Sequence, residues 1–105
     1  MADIKEETIF QLILHAGNGR SSSMEAIQAA KAKNFTLAAN KLEEANHALE
    51  KAHEIQTSLI QNELNGAGTV PTLLVIHAQD HLMNAITVKD LAQELIEIYK
   101  QFHIK

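Results

Sequence analysis

The stretch HAGNGRSSSM, residues 15–24, decides how many helices this chain forms. Its two glycines and three serines are able to end a helix, which would give four short helices overall. A single helix running through them would lose about 1 kcal/mol per glycine relative to alanine. The flanks are helical on either reading: Ile9, Ile13 and Ala16 precede the stretch, and Met24, Ile27 and Ala30 follow it, at intervals of three and four. Pattern alone leaves both arrangements open.

Outward from this stretch the organisation is clearer. AKNFT, residues 32–36, is a weak break in which Asn34 and Thr36 are suited to ending one helix and starting the next. The stronger break is NELNGAGTVPT, residues 62–72, where Gly66, Gly68 and Pro71 cluster. Between the breaks Phe35, Ala38, Leu42, Ala45, Leu49, Ala52 and Leu59 form one stripe, in a segment rich in Ala, Leu, Glu, Lys and Gln. A third segment runs from about Val70 to Phe102. The expected fold is all-α, a single domain over residues 1–105, with three long helices in an antiparallel up-down-up bundle.

The third segment has one apolar face too many. Leu73, His77, Val88, Leu91, Leu95 and Phe102 share a side, which a monomeric bundle would bury. Val75, Leu82 and Ile86 project roughly opposite, with Ile76 and Met83 on a flank, so the first half of the helix is apolar all round. Further along, Lys89, Asp90, Gln93, Glu94 and Glu97 form an ordinary solvated surface. A second subunit is the expected cover for the spare face. An irregular core is the bland alternative.

Composition excludes several classes. The chain has 105 residues, 46% of them hydrophobic, too apolar for disorder. A net charge of −4, nine scattered basic residues and no tryptophan argue against a nucleic-acid surface. The absence of cysteine removes disulfides and thiolate metal sites. No segment approaches the roughly 20 apolar residues that span a bilayer, and MADIKEETIF has no signal-peptide core, so the expected location is cytoplasmic without membrane insertion.

Within the doubly apolar stretch sits HAQDH, residues 77–81. On a helix His77, Asp80 and His81 share one face, and Gln79 points away from it. Three readings stand. The pair of histidines around an acid is formally close to the H-x-x-E-H zinc pattern, but the acid is aspartate and a third ligand is wanting. A neutral imidazole is also a good nitrogen nucleophile near pH 7, able to accept a phosphoryl group. The third reading is a hydrogen-bonded core pair anchored by Asp80.

At these residues the chain resembles the enzyme IIA component of the lactose/cellobiose (lactose/chitobiose) branch of the bacterial phosphoenolpyruvate-dependent sugar phosphotransferase system. HAQDHLM (77–83) is that family's hallmark; HAGNGRS (15–21), AHEIQTSLIQNE (52–63) and LIEIYK (95–100) resemble its other motifs in the same order. The resemblance implies a cytoplasmic homotrimer of three-helix subunits and a single long first helix. It implies a phosphoryl carrier in uptake of a β-linked disaccharide, with the cellobiose/chitobiose side favoured. His77 would accept the group from phospho-HPr and donate it to enzyme IIB. His81 and Gln79 would support it, and Asp80 would bind one metal ion per trimer, Mg²⁺, near the threefold axis. His77 would lie in a groove between subunits, with Leu73, Leu74, Ile76 and Leu82 as a docking wall for HPr and IIB.

The competing class is a non-enzymatic metal-binding oligomer using His77, Asp80 and His81 as ligands. His53 and Gln56 are candidates for the same crevice, with packing and a helix hydrogen bond as the plainer account. Arg20, the only arginine, is a candidate for attracting phosphate or for a salt bridge. His15, His47 and His103 read as ordinary helix residues. The family usually has alanine before the arginine; Gly19 departs from that and is expected to loosen the middle of the first helix.

Overall fold

The computed structural model describes residues 2–67 and 71–103, with side chains from residue 6 onward. It contains three helices and, among the described residues, no strand: α1 (Ala2–Lys31), α2 (Phe35–Leu64) and α3 (Leu73–His103). They form a rod of 58 × 20 × 19 Å. Gly68 and Val70, the expected turn glycine and helix start, lie outside the described residues; α3 begins at Leu73, where Thr72 Oγ1 accepts from the Val75 amide at 3.3 Å.

The 15–24 stretch is helix throughout. Neither Gly17 nor Gly19 has a positive φ, so the backbone conformation there does not require glycine. Space does. A Cβ at Gly19 would lie 2.6 Å from both Cγ and Cδ2 of Leu49 on α2. Ser23, fully buried, satisfies its hydroxyl by donating to the Gly19 carbonyl at 2.8 Å. Beside the expected loosening at Gly19 stands a packing role: the glycine is a seat for Leu49. Gly19→Ala gains about 1 kcal/mol of helix propensity but overpacks Leu49, at a cost of about 1–3 kcal/mol. A net loss near 1 kcal/mol is expected in urea unfolding. In a double-mutant cycle with Leu49→Ala the pair should lose less than the sum of its parts.

Both inter-helix breaks close in the same way. After α1 the Asn34 amide donates to the Ala29 carbonyl and the Lys33 amide to the Ala30 carbonyl, both at 2.9 Å. After α2 the Ala67 amide donates to the Asn62 carbonyl at 2.8 Å and the Gly66 amide to the Glu63 carbonyl at 3.1 Å. These paired bonds satisfy carbonyls that a helix end leaves open. The residue at the bend has φ +82° at Gly66 and 65° at Lys33. Asn34 then caps α2, its Oδ1 accepting from the Leu37 amide at 3.1 Å; Thr36 lies inside the helix.

The core is built largely from alanine. Ile9, Leu12, Ala16, Leu49, Ala52, Ala78, Leu82 and Ala85 form one cluster, and Ala26, Ala29, Ala30, Ala38 and Ile96 a second. Short side chains let the helix axes approach closely. The α2 stripe is borne out, with Ala38, Ala45, Leu49 and Ala52 buried. On α1, Ile9, Ala16 and Ala30 are buried and Leu12 joins them, whereas Met24 is 44% exposed. Lys41 of α2 reaches Glu25 of α1 at 3.1 Å, and that hydrogen bond and charge hold its ammonium above the ordinary lysine pKa.

The expected assignment of α3 faces is reversed. Ala78, Leu82, Ala85, Ala92 and Ile96 are buried, with Val75 and Ile86 packed beside them. The stripe read as core faces outward: Leu73 is 82% exposed, Leu91 56% and Phe102 78%. The spare apolar face is thus the one carrying His77, and it runs the whole helix instead of half. The bulk of Leu and Phe drew the core assignment, while the bundle itself closes on alanines too small to compete in that reading.

Candidate functional site

His77, Gln79, Asp80 and His81 occupy the second and third turns of α3, and its 3.6-residue period sends them in three directions. His77 and Asp80 are exposed on the outward stripe. His81 is half-buried, turned toward α1. Gln79 turns toward α2, where its Oε1 accepts from Gln56 Nε2 at 3.0 Å. The expectation that Gln79 points away from His77 is borne out, and its partner is Gln56. This amide pair ties α2 to α3 directly behind the histidines.

The two imidazoles stack. Their centroids are 5.6 Å apart and their planes differ by 19°. Parallel rings do not converge their nitrogens on one point, and among the described residues no three His, Asp or Glu side chains are placed to hold a metal ion. Within one chain, a site ligated by His77, Asp80 and His81 together is therefore not favoured. Asp80 makes no ion pair among the described residues. As an exposed oxygen donor on the outward stripe, it can serve a hard cation only in company with other carboxylates.

The remaining candidates scatter. His53 is exposed and lines a depression with Glu50, Glu54, Ile86 and Lys89, apart from His77. Arg20 is exposed, one turn beyond Gly17 on α1, and makes no ion pair among the described residues. His15 and His47 line one cleft between α1 and α2 together with Glu25 and Glu44. His103 packs on Phe35, ring centroids 5.4 Å apart. Leu82 is fully buried and Leu74 half-buried, so neither belongs in an exposed docking wall; Leu73 and Ile76 do.

Sequence reasoning missed one neighbour of the site. A Cβ at Gly17 would stand 3.3 Å from His81 Nε2, so this glycine lies directly against the half-buried imidazole. The available signal was a mid-helix glycine, which often marks close approach.

An exposed imidazole on an apolar outward face, backed by a second imidazole and an amide pair, suits transfer between proteins more than capture of a small substrate. Comparison with known proteins gives the family. The family described as PTS system, Lactose/Cellobiose specific IIA subunit, matches residues 7–100. The chain is 58% identical to the lichenan-specific phosphotransferase enzyme IIA component of Bacillus subtilis, over 96% of this chain and 92% of the relative. The cellobiose-specific enzyme IIA from Bacillus anthracis superposes with a TM-score of 0.93 at 51% identity, covering 95% of this chain and 92% of that one. The IIA of the chitobiose IIA–HPr complex from the Escherichia coli phosphotransferase system gives 0.82 at 33% identity, covering 93% and 95%. This chain belongs to the lactose/cellobiose-specific IIA family and is a component of a sugar phosphotransferase system. Among the described residues, no helix is long and apolar enough to cross a membrane.

Proposed function

We propose that the protein is a cytoplasmic phosphoryl carrier that accepts a phosphoryl group from phospho-HPr on His77 and passes it to enzyme IIB during uptake of a β-linked disaccharide. The observation that carries this reading is the His77 imidazole itself, exposed beside exposed Leu73 and Ile76 and stacked on His81. A bond from a His77 ring nitrogen to phosphorus forms as the donor's bond to phosphorus breaks, and the second step reverses the roles. The neutral ring supplies the lone pair, so no base need remove a proton from the attacking nitrogen. Phosphohistidine has high transfer potential, which leaves the protein to position the ring and stabilise charge. The chitobiose IIA–HPr complex supports HPr as the donor, and the cellobiose and chitobiose neighbours support the disaccharide class.

The subunit is an up-down-up bundle, and it works as a homotrimer. In support of the first, Glu25 and Gly19 of α1 meet Lys41 and Leu49 of α2. Gln56 of α2 meets Gln79 of α3, while the earlier Glu50 and His53 share a depression with the later Ile86 and Lys89, so chain order is opposite in each pair of successive helices. In support of the second, Leu91, Leu95 and Ile98 leave the outward face of α3 beyond the histidines too apolar to stay in water. Three Asp80 carboxylates brought together by threefold symmetry would repel each other, and one Mg²⁺ bound to their oxygens would offset that. Chelating divalent cations is then expected to lower the thermal midpoint of the trimer, and Asp80→Asn to remove that sensitivity.

Incubation with phosphoenolpyruvate, enzyme I and HPr tests the carrier reading. The intact mass should rise by one acid-labile phosphoryl group, which adding the cognate IIB then discharges. Well-folded protein that takes up no label contradicts it.

A further inference from the structure

We infer that Gly17 is a positioning residue for the phosphoryl site: its missing side chain seats the His81 imidazole against α1, and His81 in turn sets the plane of His77. The inference rests on the reading of His77 as acceptor. Gly17 lies in the interior of α1 with an ordinary helical φ, where glycine weakens a helix and alanine would fit the backbone equally well. What alanine would change is space. Its methyl would stand 3.3 Å from His81 Nε2, closer than ordinary van der Waals contact, so the ring would have to move outward by a few tenths of an ångström.

Outward from His81 lies His77, its ring parallel within 19° and its centroid 5.6 Å away. An exposed imidazole samples several rotamers, and the stack is the contact that selects among them. In-line transfer needs the attacking lone pair aimed at phosphorus, and small misplacements of a reacting group are felt strongly in rate. The Gly17–His81–His77 chain therefore carries a packing choice on α1 to the acceptor on α3. Gly19, two residues on, has the same residue type but faces Leu49 and not the histidines, which makes it an internal control.

Imidazole NMR together with single-turnover uptake from phospho-HPr tests this. In Gly17→Ala the His77 and His81 ring resonances are expected to shift together, and uptake to slow roughly five- to tenfold. In a His81→Ala background the same substitution should change neither readout. Gly19→Ala should leave the His77 resonances where they are. Unmoved His77 resonances in Gly17→Ala, or an equal effect of that substitution without His81, overturns the inference. If Gly17→Ala does not fold, His81→Ala alone decides: His77 should lose its ring-current shift and uptake should slow similarly, and unchanged His77 resonances overturn the inference. Wild-type protein that never takes phosphate on His77 sinks the carrier reading by itself, since the resonance test needs no phosphoryl donor.

Discussion

His77→Ala is expected to take up no phosphoryl group from phospho-HPr, with a rate at least about a thousandfold below wild type, because in the proposed carrier it removes the nitrogen that forms the new bond. The loss is chemical and not structural. His77 is exposed and its one described ring contact is the stack on His81, so the change should shift stability by no more than about 0.5 kcal/mol. Far-ultraviolet circular dichroism and sedimentation of the variant should match wild type. His81→Ala should behave differently: it keeps the proposed acceptor and is expected to slow uptake by about tenfold, through lost orientation alone. A quench-flow comparison of the two variants separates nucleophile from support.

Leu91→Glu is expected to convert the proposed trimer to monomers. Leu91 sits near the middle of the outward stripe and is 56% exposed in the single chain, so a glutamate there is tolerated by the subunit fold. In the proposed trimer the same position repeats three times around one axis. Three carboxylates would then be removed from water without partners, at several kcal/mol per ion, and would also repel one another. Sedimentation equilibrium should give the mass of one chain with helical content unchanged. A variant that sediments as three chains would place the subunit contact elsewhere than on this stripe.

The two halves of the molecule differ in how far they can be read from sequence. The α2 stripe is legible because its buried positions, Ala38, Ala45, Leu49 and Ala52, repeat at helical spacing among polar neighbours. The α3 faces are misread for a definite reason. The helical bundle buries Ala78, Ala85 and Ala92, while Leu73, Leu91 and Phe102 stay exposed. Hydrophobic bulk marks which face is most apolar, not which partner covers it. Glycine is ambiguous in the same way: Gly66 at a positive φ ends a helix, while Gly17 and Gly19 admit neighbouring side chains, and only the neighbours distinguish the two uses. Lys33 adopts a positive φ with no signal in its residue type.

At the site, the divergence of Gln79 from His77 is legible in local spacing, whereas the expected common face of His77, Asp80 and His81 is split: the first two are exposed and His81 turns half-buried toward Gly17 of α1. The contacts that hold them are not local. Gln56 lies 23 residues from Gln79, and Gly17 is on a different helix from His81, so no spacing rule connects either pair.

The central claim is that phosphate resides on one particular imidazole. Nitrogen-15 NMR of the six histidine rings, recorded before and after phosphorylation by enzyme I, HPr and phosphoenolpyruvate, tests it most directly. The account predicts that a His77 ring nitrogen moves to a phosphoimidazole position, that His81 shows only a smaller shift from its stacked neighbour, and that His15, His47 and His103 stay in place. Phosphate bonded to any other ring, or spectra unchanged in protein exposed to a competent donor, would contradict it.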